Sequence, residues 1–145
     1  MIYEIRNSIG EKVKVIPKVE LYAVKDFMGR DLPGLAIDLV NADNLEPYAR
    51  LTVSLREFIS WKNCAYIDTN NCSFANQLLK YGIAEDTGLK KRSGYCEYPL
   101  WVFKEEFLCE HGAENYQKYR EEYDNYMRPY MESEDEEEEL GGIEQ

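Results

Sequence analysis

At 145 residues, with 44% hydrophobic side chains and a formal net charge of −11, the chain is long enough for one ordinary domain with a real core and too short for two. The charge is uneven: residues 129–145 (PYMESEDEEEELGGIEQ) hold eight acids and no base, which leaves 20 acids against 17 bases, a net −3, in residues 1–128. Direct binding of DNA or RNA is thereby disfavoured, because phosphate affinity comes from Lys and Arg, and a partner with a basic surface is favoured.

The opening MIYEIRNSIG lacks the apolar run of a signal peptide. No stretch approaches the roughly 18 apolar residues of a membrane span, so a cytoplasmic protein with no membrane partner is expected. Cys64, Cys72, Cys96 and Cys109 form no C-x-x-C pair and His111 is the single histidine. Neither pattern suggests zinc; reduced thiols are the expectation, with no metal and no cofactor.

Residues 1–11 suit a short strand or an arm. From Val13 the pattern alternates: Val13, Val15, Pro17, Val19, Leu21 and Ala23 share one face, Lys12, Lys14, Lys18 and Glu20 the other. This predicts a half-buried strand, placed at an edge or bulged at Pro17, which cannot donate to a ladder. Residues 28–34 (MGRDLPG) read as a turn, and Leu35, Ile37 and Leu39 begin a second strand. After a turn at residues 41–44, Ala49, Leu51, Val53 and Leu55 mark a third, and three strands with short links predict an antiparallel meander.

Ser54-Leu55-Arg56-Glu57 fits either a capping box opening a helix to Trp61 or the end of that strand. Residues 64–68 predict a fourth strand, and residues 73–81 a helix closed by Gly82. Residues 84–94 read as a loop and 95–103 as a last strand interrupted by Pro99. A short helix from Lys104 to about Cys109 breaks at His111-Gly112, and a final helix runs from about Ala113 to Met127, limited by Pro129. The fold class is α+β: a small, mainly antiparallel sheet of four to five strands, two to three helices, a long C-terminal helix, and a tail too charged to fold. One domain occupies 1–128 and a disordered acidic tail 129–145.

The sharpest pattern is on the last helix. Tyr116, Tyr119, Tyr123, Tyr126 and Tyr130 are spaced 3, 4, 3, 4, and the first four fall on one stripe. The stripe can dock on the protein's own sheet or form a partner-binding or self-dimerising face. Tyrosine is enriched at interface hot spots, and a buried tyrosine face needs a hydrogen bond for every hydroxyl; both favour a face at least partly accessible. Glu134, Asp135 and Glu136 lead the acidic run, which either solvates the chain or stands in for phosphates in a basic groove. Lys90, Lys91 and Arg92, between Gly88 and Gly94, are the one basic cluster and could hold a phosphate, although no P-loop or dinucleotide motif is present. Asp68, Asn70 and Asn71 suit a ligand or an Asx-turn capping the next helix. No pattern supplies a nucleophile with its base, so no catalytic residue is assigned.

The stretches Ala65–Asn71 (AYIDTNN), Gly82–Gly88 (GIAEDTG) and Ser93–Leu100 (SGYCEYPL) together resemble a small uncharacterised family associated with Firmicutes genomes, phages and conjugative elements. The resemblance covers about residues 48–108, with the tyrosine helix and tail outside it as an apparent addition. It implies a mobile-element context and a bacterial host, and no residue role. The resulting expectation is a non-catalytic inhibitor or accessory that binds a basic, nucleic-acid-handling host protein such as a CRISPR effector nuclease. The alternatives are nucleotide sequestration at Asp68, Asn70, Asn71, Lys90, Lys91 and Arg92, or an accessory protein that dimerises through its last helix.

Overall fold

Strand alternation accounts for the N-terminal half of the computed structural model, which describes the backbone of residues 1–144 and the side chains of residues 1–130. The expected meander forms one antiparallel sheet of order β1-β2-β3-β4: β1 (Tyr3–Arg6), β2 (Lys12–Lys25), β3 (Asp31–Asn41) and β4 (Pro47–Arg50). Val15, Pro17 and Val19 are buried and Lys12, Lys14 and Lys18 exposed, as the period of two requires. The phase slips near the end of β2, where Ala23 is exposed and Val24 buried. β1 pairs with Lys12–Val15 only, so Pro17 comes where that ladder has ended and β2 has become an edge. The turn after β2 is shorter than predicted. Asp26 and Arg30 close it, and Pro33 and Gly34 already lie in β3 opposite Ala23 and Tyr22.

The predicted third strand is divided between two sheets. β4 ends at Arg50 and β5 (Thr52–Val53) opens a second antiparallel sheet of order β5-β6-β8-β7, with β6 (Cys64–Ile67), β7 (Ala84–Ser93) and β8 (Cys96–Phe103). Leu51 joins the two: its N–H donates to Ile37 O at 2.8 Å, and its carbonyl accepts from Asp68 N at 2.9 Å. Thr52 Oγ1, also buried, accepts from Ile37 N.

Two expected elements differ. Residues 54–61 form no helix: Arg56 has φ 66°, and Ser54 Oγ accepts from Arg56 N instead of capping. Residues 84–94 are the edge strand β7, not a loop. The strand buries only Ala84 and carries a register shift between Asp86 and Lys90, so it has no apolar alternation to read. Its Lys90, Lys91 and Arg92 are the charges with which an edge resists further pairing.

Helix α1 (Ala75–Leu79) sits between β6 and β7, and Gly82 follows it at φ 76°, as its turn signal predicts. Helix α2 spans Glu105–Glu144. Two helical segments meet at Ala113, where φ 44° and ψ −123° are not helical, close to the predicted break. Pro129 does not end the helix; it lies inside it. The disorder expected of the acidic tail falls mainly on residues 131–145, outside the fully described residues.

One hydrophobic core unites both sheets, α1 and α2. α2 enters it through Phe107 and Leu108 and, past Ala113, through three tyrosines: Tyr116, Tyr119 and Tyr123 are 2%, 3% and 7% exposed. Each hydroxyl is satisfied within the monomer. Tyr116 Oη donates to Asn63 Oδ1 (3.0 Å), Asn63 N donates to Tyr119 Oη (3.0 Å), and Tyr123 Oη donates to the Ser60 carbonyl (2.6 Å). Arg120 and Lys62 stand over the Tyr116 and Tyr123 rings at 5.4 and 5.9 Å. The helix can approach β2 because residue 112 is glycine: a Cβ there would meet Tyr116 Cβ at 2.6 Å and Val19 Cβ at 3.2 Å.

His111, on the same turn, packs against Tyr3 and Phe107. Burial, aided by the nearby amino terminus, pushes its pKa below the ordinary value, outweighing Glu110 and a backbone hydrogen bond with Pro17. Glu110 Oε2 lies 2.7 Å from His111 Nε2 without the alignment of a hydrogen bond.

Gly112→Ala is expected to lower stability by about 1–3 kcal/mol through overpacking, and Ala113→Gly to raise it by about 1 kcal/mol by relieving a positive φ; thermal melts of the two variants will shift in opposite directions. Tyr119→Phe leaves the Asn63 amide without its acceptor and will cost about 1–3 kcal/mol, whereas the exposed Tyr130→Phe will stay within about 0.5 kcal/mol of the parent in urea titrations. Because the folded state binds a proton at His111 less readily than the unfolded chain, stability will fall as pH drops below about 6.5. The slope of Tm against pH between about 5 and 6.5 will flatten in His111→Gln.

Candidate functional site

Beyond the three sealed rings the tyrosine stripe emerges from the core. Tyr126 is half-buried and Tyr130 is 54% exposed. They meet the tip of the β2–β3 hairpin and the segment 57–60 around a groove of about 600 Å³ lined by Lys25, Asp26, Phe27, Glu57, Phe58, Ser60, Tyr126, Met127 and Tyr130. Phe58 packs edge-on to Tyr126 at 4.9 Å and also touches Tyr123, so the aromatic surface runs from core to groove. Tyr126 and Tyr130 adjoin at 6.4 Å, and Phe27 is 85% exposed.

Asp26 fixes this geometry. Its carboxylate is 2% exposed and accepts from Met28 N and Arg30 N at 2.9 and 2.8 Å and from Tyr126 Oη at 2.8 Å. Burial pushes this carboxyl up, but the three hydrogen bonds and the Arg30 charge outweigh it and hold the pKa below the usual value. A permanent anion thus ties the hairpin turn to α2. The opposite wall is held by backbone: Phe58 N donates to Lys25 O and Lys25 N to Arg56 O. The rim charges are paired, Lys25 with Asp31 and Glu57 with Lys91.

The partner face expected of all five tyrosines is therefore reduced to two. Tyr116, Tyr119 and Tyr123 are core residues, because their hydroxyls find partners on the 60–63 segment; Tyr126 and Tyr130 reach the groove. Glu134, Asp135 and Glu136 lie outside the described side chains. Sequence reasoning missed Phe27, Glu57, Phe58 and Met127. The one signal in the sequence was a phenylalanine beside a turn, Asp26-Phe27-Met28-Gly29, outside the alternation of the strand before it.

The alternative ligand set is only partly assembled. Asp68 accepts from Asn71 N and Asn71 Nδ2, an Asx-turn leading toward α1. Lys91 lies opposite Tyr98 in the β7–β8 ladder and pairs with Glu57; Arg92 lies 3.9 Å from Glu97, Lys90 faces Pro99, and Asn70 is exposed. Burial pushes Cys64 up to about 12 and Cys72, helped by the charge of Asp68, up to about 11, so both are thiols at neutral pH. Among the described residues no three His, Cys, Asp or Glu are grouped as a metal site requires, and no helix is long and apolar enough to cross a membrane.

No curated protein and no solved structure matches the chain. A family model described as a domain of unknown function, DUF4313, matches residues 23–139. The match corrects the narrower span of 48–108, and with it the idea that the tyrosine helix is an addition: α2 supplies part of the core that the sheets need. The chain belongs to the DUF4313 family.

Proposed function

We propose that this protein is a non-catalytic binding protein whose partner is a basic, nucleic-acid-handling host protein, with a CRISPR effector nuclease as the candidate and inhibition of a bacterial defence as the outcome. The observation that carries the reading is the groove. Apolar rings at Phe27, Phe58, Tyr126 and Tyr130 stay accessible although the same helix buries three tyrosines nearby, and the run of eight acids in residues 129–145 follows directly. Exposed aromatic clusters of this kind are the usual anchors of protein interfaces, and a dense negative charge beside them speeds approach of a positive partner. A mobile-element origin and a cytoplasmic setting belong to the same proposal.

The two alternatives draw less from the geometry. Dimerisation through the last helix loses Tyr116, Tyr119 and Tyr123, which are used inside the monomer. Nucleotide sequestration asks Lys91 and Arg92 to exchange the carboxylates of Glu57 and Glu97 for phosphate.

With a purified RNA-guided nuclease, affinity is expected to fall steeply with added salt and to drop in Phe27→Ala/Tyr130→Ala, whose exposed positions leave the melting temperature near the parent's. Neutralising Glu134, Asp135 and Glu136 to the amides will lower the association rate more than it raises the dissociation rate. Salt-independent binding, or binding indifferent to the groove substitutions, rejects the reading.

A further inference from the structure

Resting on that reading, we infer that the groove is a receptor for an arginine side chain presented on an exposed segment of the partner. The groove is aromatic, and its two carboxylates are already held, Asp26 by Met28 N, Arg30 N and Tyr126 Oη and Glu57 by Lys91, so the ring faces are what it offers an incoming cation. An aromatic ring presents a negative face to a cation, and a guanidinium, flat and weakly hydrated, can lie on that face. The fold already uses this pairing at the same place: the Arg30 guanidinium stands 5.8 Å from the centre of the Tyr126 ring and 3.7 Å from Asp26. It does so again at Arg50 over Tyr22 and Arg120 over Tyr116. Tyr130, beside Tyr126, and Phe27 line the same groove and are exposed.

Charge selects among the possible occupants. The acidic run follows the groove residue Tyr130 in sequence and holds eight acids without a base. A phosphate or nucleotide entering here meets like charge. A second copy brings a second net charge of −11 and the same run. A segment carrying arginine meets opposite charge on approach and aromatic faces on arrival. Arginine is favoured over lysine because a planar, weakly hydrated guanidinium can stack on the rings, whereas an ammonium is a compact, strongly hydrated charge.

The test is a nuclear magnetic resonance titration of the full chain with acetyl-Gly-Arg-Gly-amide, the same peptide with citrulline in place of arginine, the lysine peptide, and AMP. Citrulline keeps the shape and removes the charge. At millimolar concentrations the arginine peptide is expected to shift the ring resonances of Phe27, Phe58, Tyr126 and Tyr130. The citrulline peptide is expected to bind about tenfold more weakly, as is the arginine peptide to Phe27→Ala/Tyr130→Ala. Equal response to citrulline, a lysine response as strong as arginine's, shifts confined to the acidic run, or no ring shifts overturns the inference; ring shifts with AMP instead assign the groove to a nucleotide and overturn it as well. The nuclease-binding experiment, run on the same groove variant, separates the two ideas. A nuclease that binds through Phe27 and Tyr130 while the arginine peptide does not leaves the functional reading standing and removes the arginine; the reverse result keeps the arginine site and removes the nuclease.

Discussion

A buried phenol must hydrogen-bond, and that requirement organises this protein. Four successive tyrosines on α2 place their hydroxyls on Asn63, again on Asn63, on Ser60 and on Asp26. The segment they hold has no regular structure, and left-handed residues lie at its two ends, Arg56 and Asn63, both at φ 66°. Left to itself it would expose backbone groups that nothing nearby in sequence satisfies. Tyr116, Tyr119 and Tyr123 fasten it to the helix and, with the backbone bonds between Lys25 and residues 56 and 58, hold Phe58 and Ser60 where they form a wall of the groove. Each buried ring adds roughly 1.5–3 kcal/mol of apolar burial, so the fastening is also a large part of the core.

The sheets supply the other half of the geometry. Leu51 donates to one sheet and accepts from the other, and Thr52 Oγ1 bonds both the Ile37 amide and the Tyr22 hydroxyl. This polar joint sets the long β2–β3 hairpin at a fixed angle to the second sheet. At the hairpin's tip the Asp26 carboxylate gathers two turn amides and one tyrosine hydroxyl, so the turn that displays Phe27 is closed by two hydrogen bonds to one buried anion and tied to α2 by a third. Groove and core are therefore parts of one bonded network.

Much of the fold was legible because it rests on short-range periodicity. The alternation of β2, the strand at Leu35, the Gly82 stop and the break near Gly112 follow from neighbours within a few residues. β7 was illegible for the opposite reason: an edge strand that buries only Ala84 has no face to alternate. The split of the third strand depends on Leu51 finding Ile37 and Asp68, which no local pattern encodes. The tyrosine stripe lies between these cases. Its spacing shows one helical face but not what lies opposite, and Asn63, Ser60 and Asp26 are 53 to 100 residues away. The same distance hid the groove, whose residues come from three separate parts of the chain.

The uneven charge has a physical logic beside this network. A body at about −3 folds without strong self-repulsion, because eight of the acids are concentrated in residues 129–145. Concentrated there they act over roughly a Debye length of about 8 Å at physiological salt. In sequence they begin two residues after Tyr130. Under the proposed function, encounter and residence would fall to different parts: charge would govern how often a basic surface arrives, and the rings of Phe27, Phe58, Tyr126 and Tyr130 how long it stays. Because the rings are anchored through Asp26 and the 56–63 segment, the proposed partner would cost them little freedom, and the rigidity imposed by the buried hydroxyls would act as preorganisation farther along the same helix.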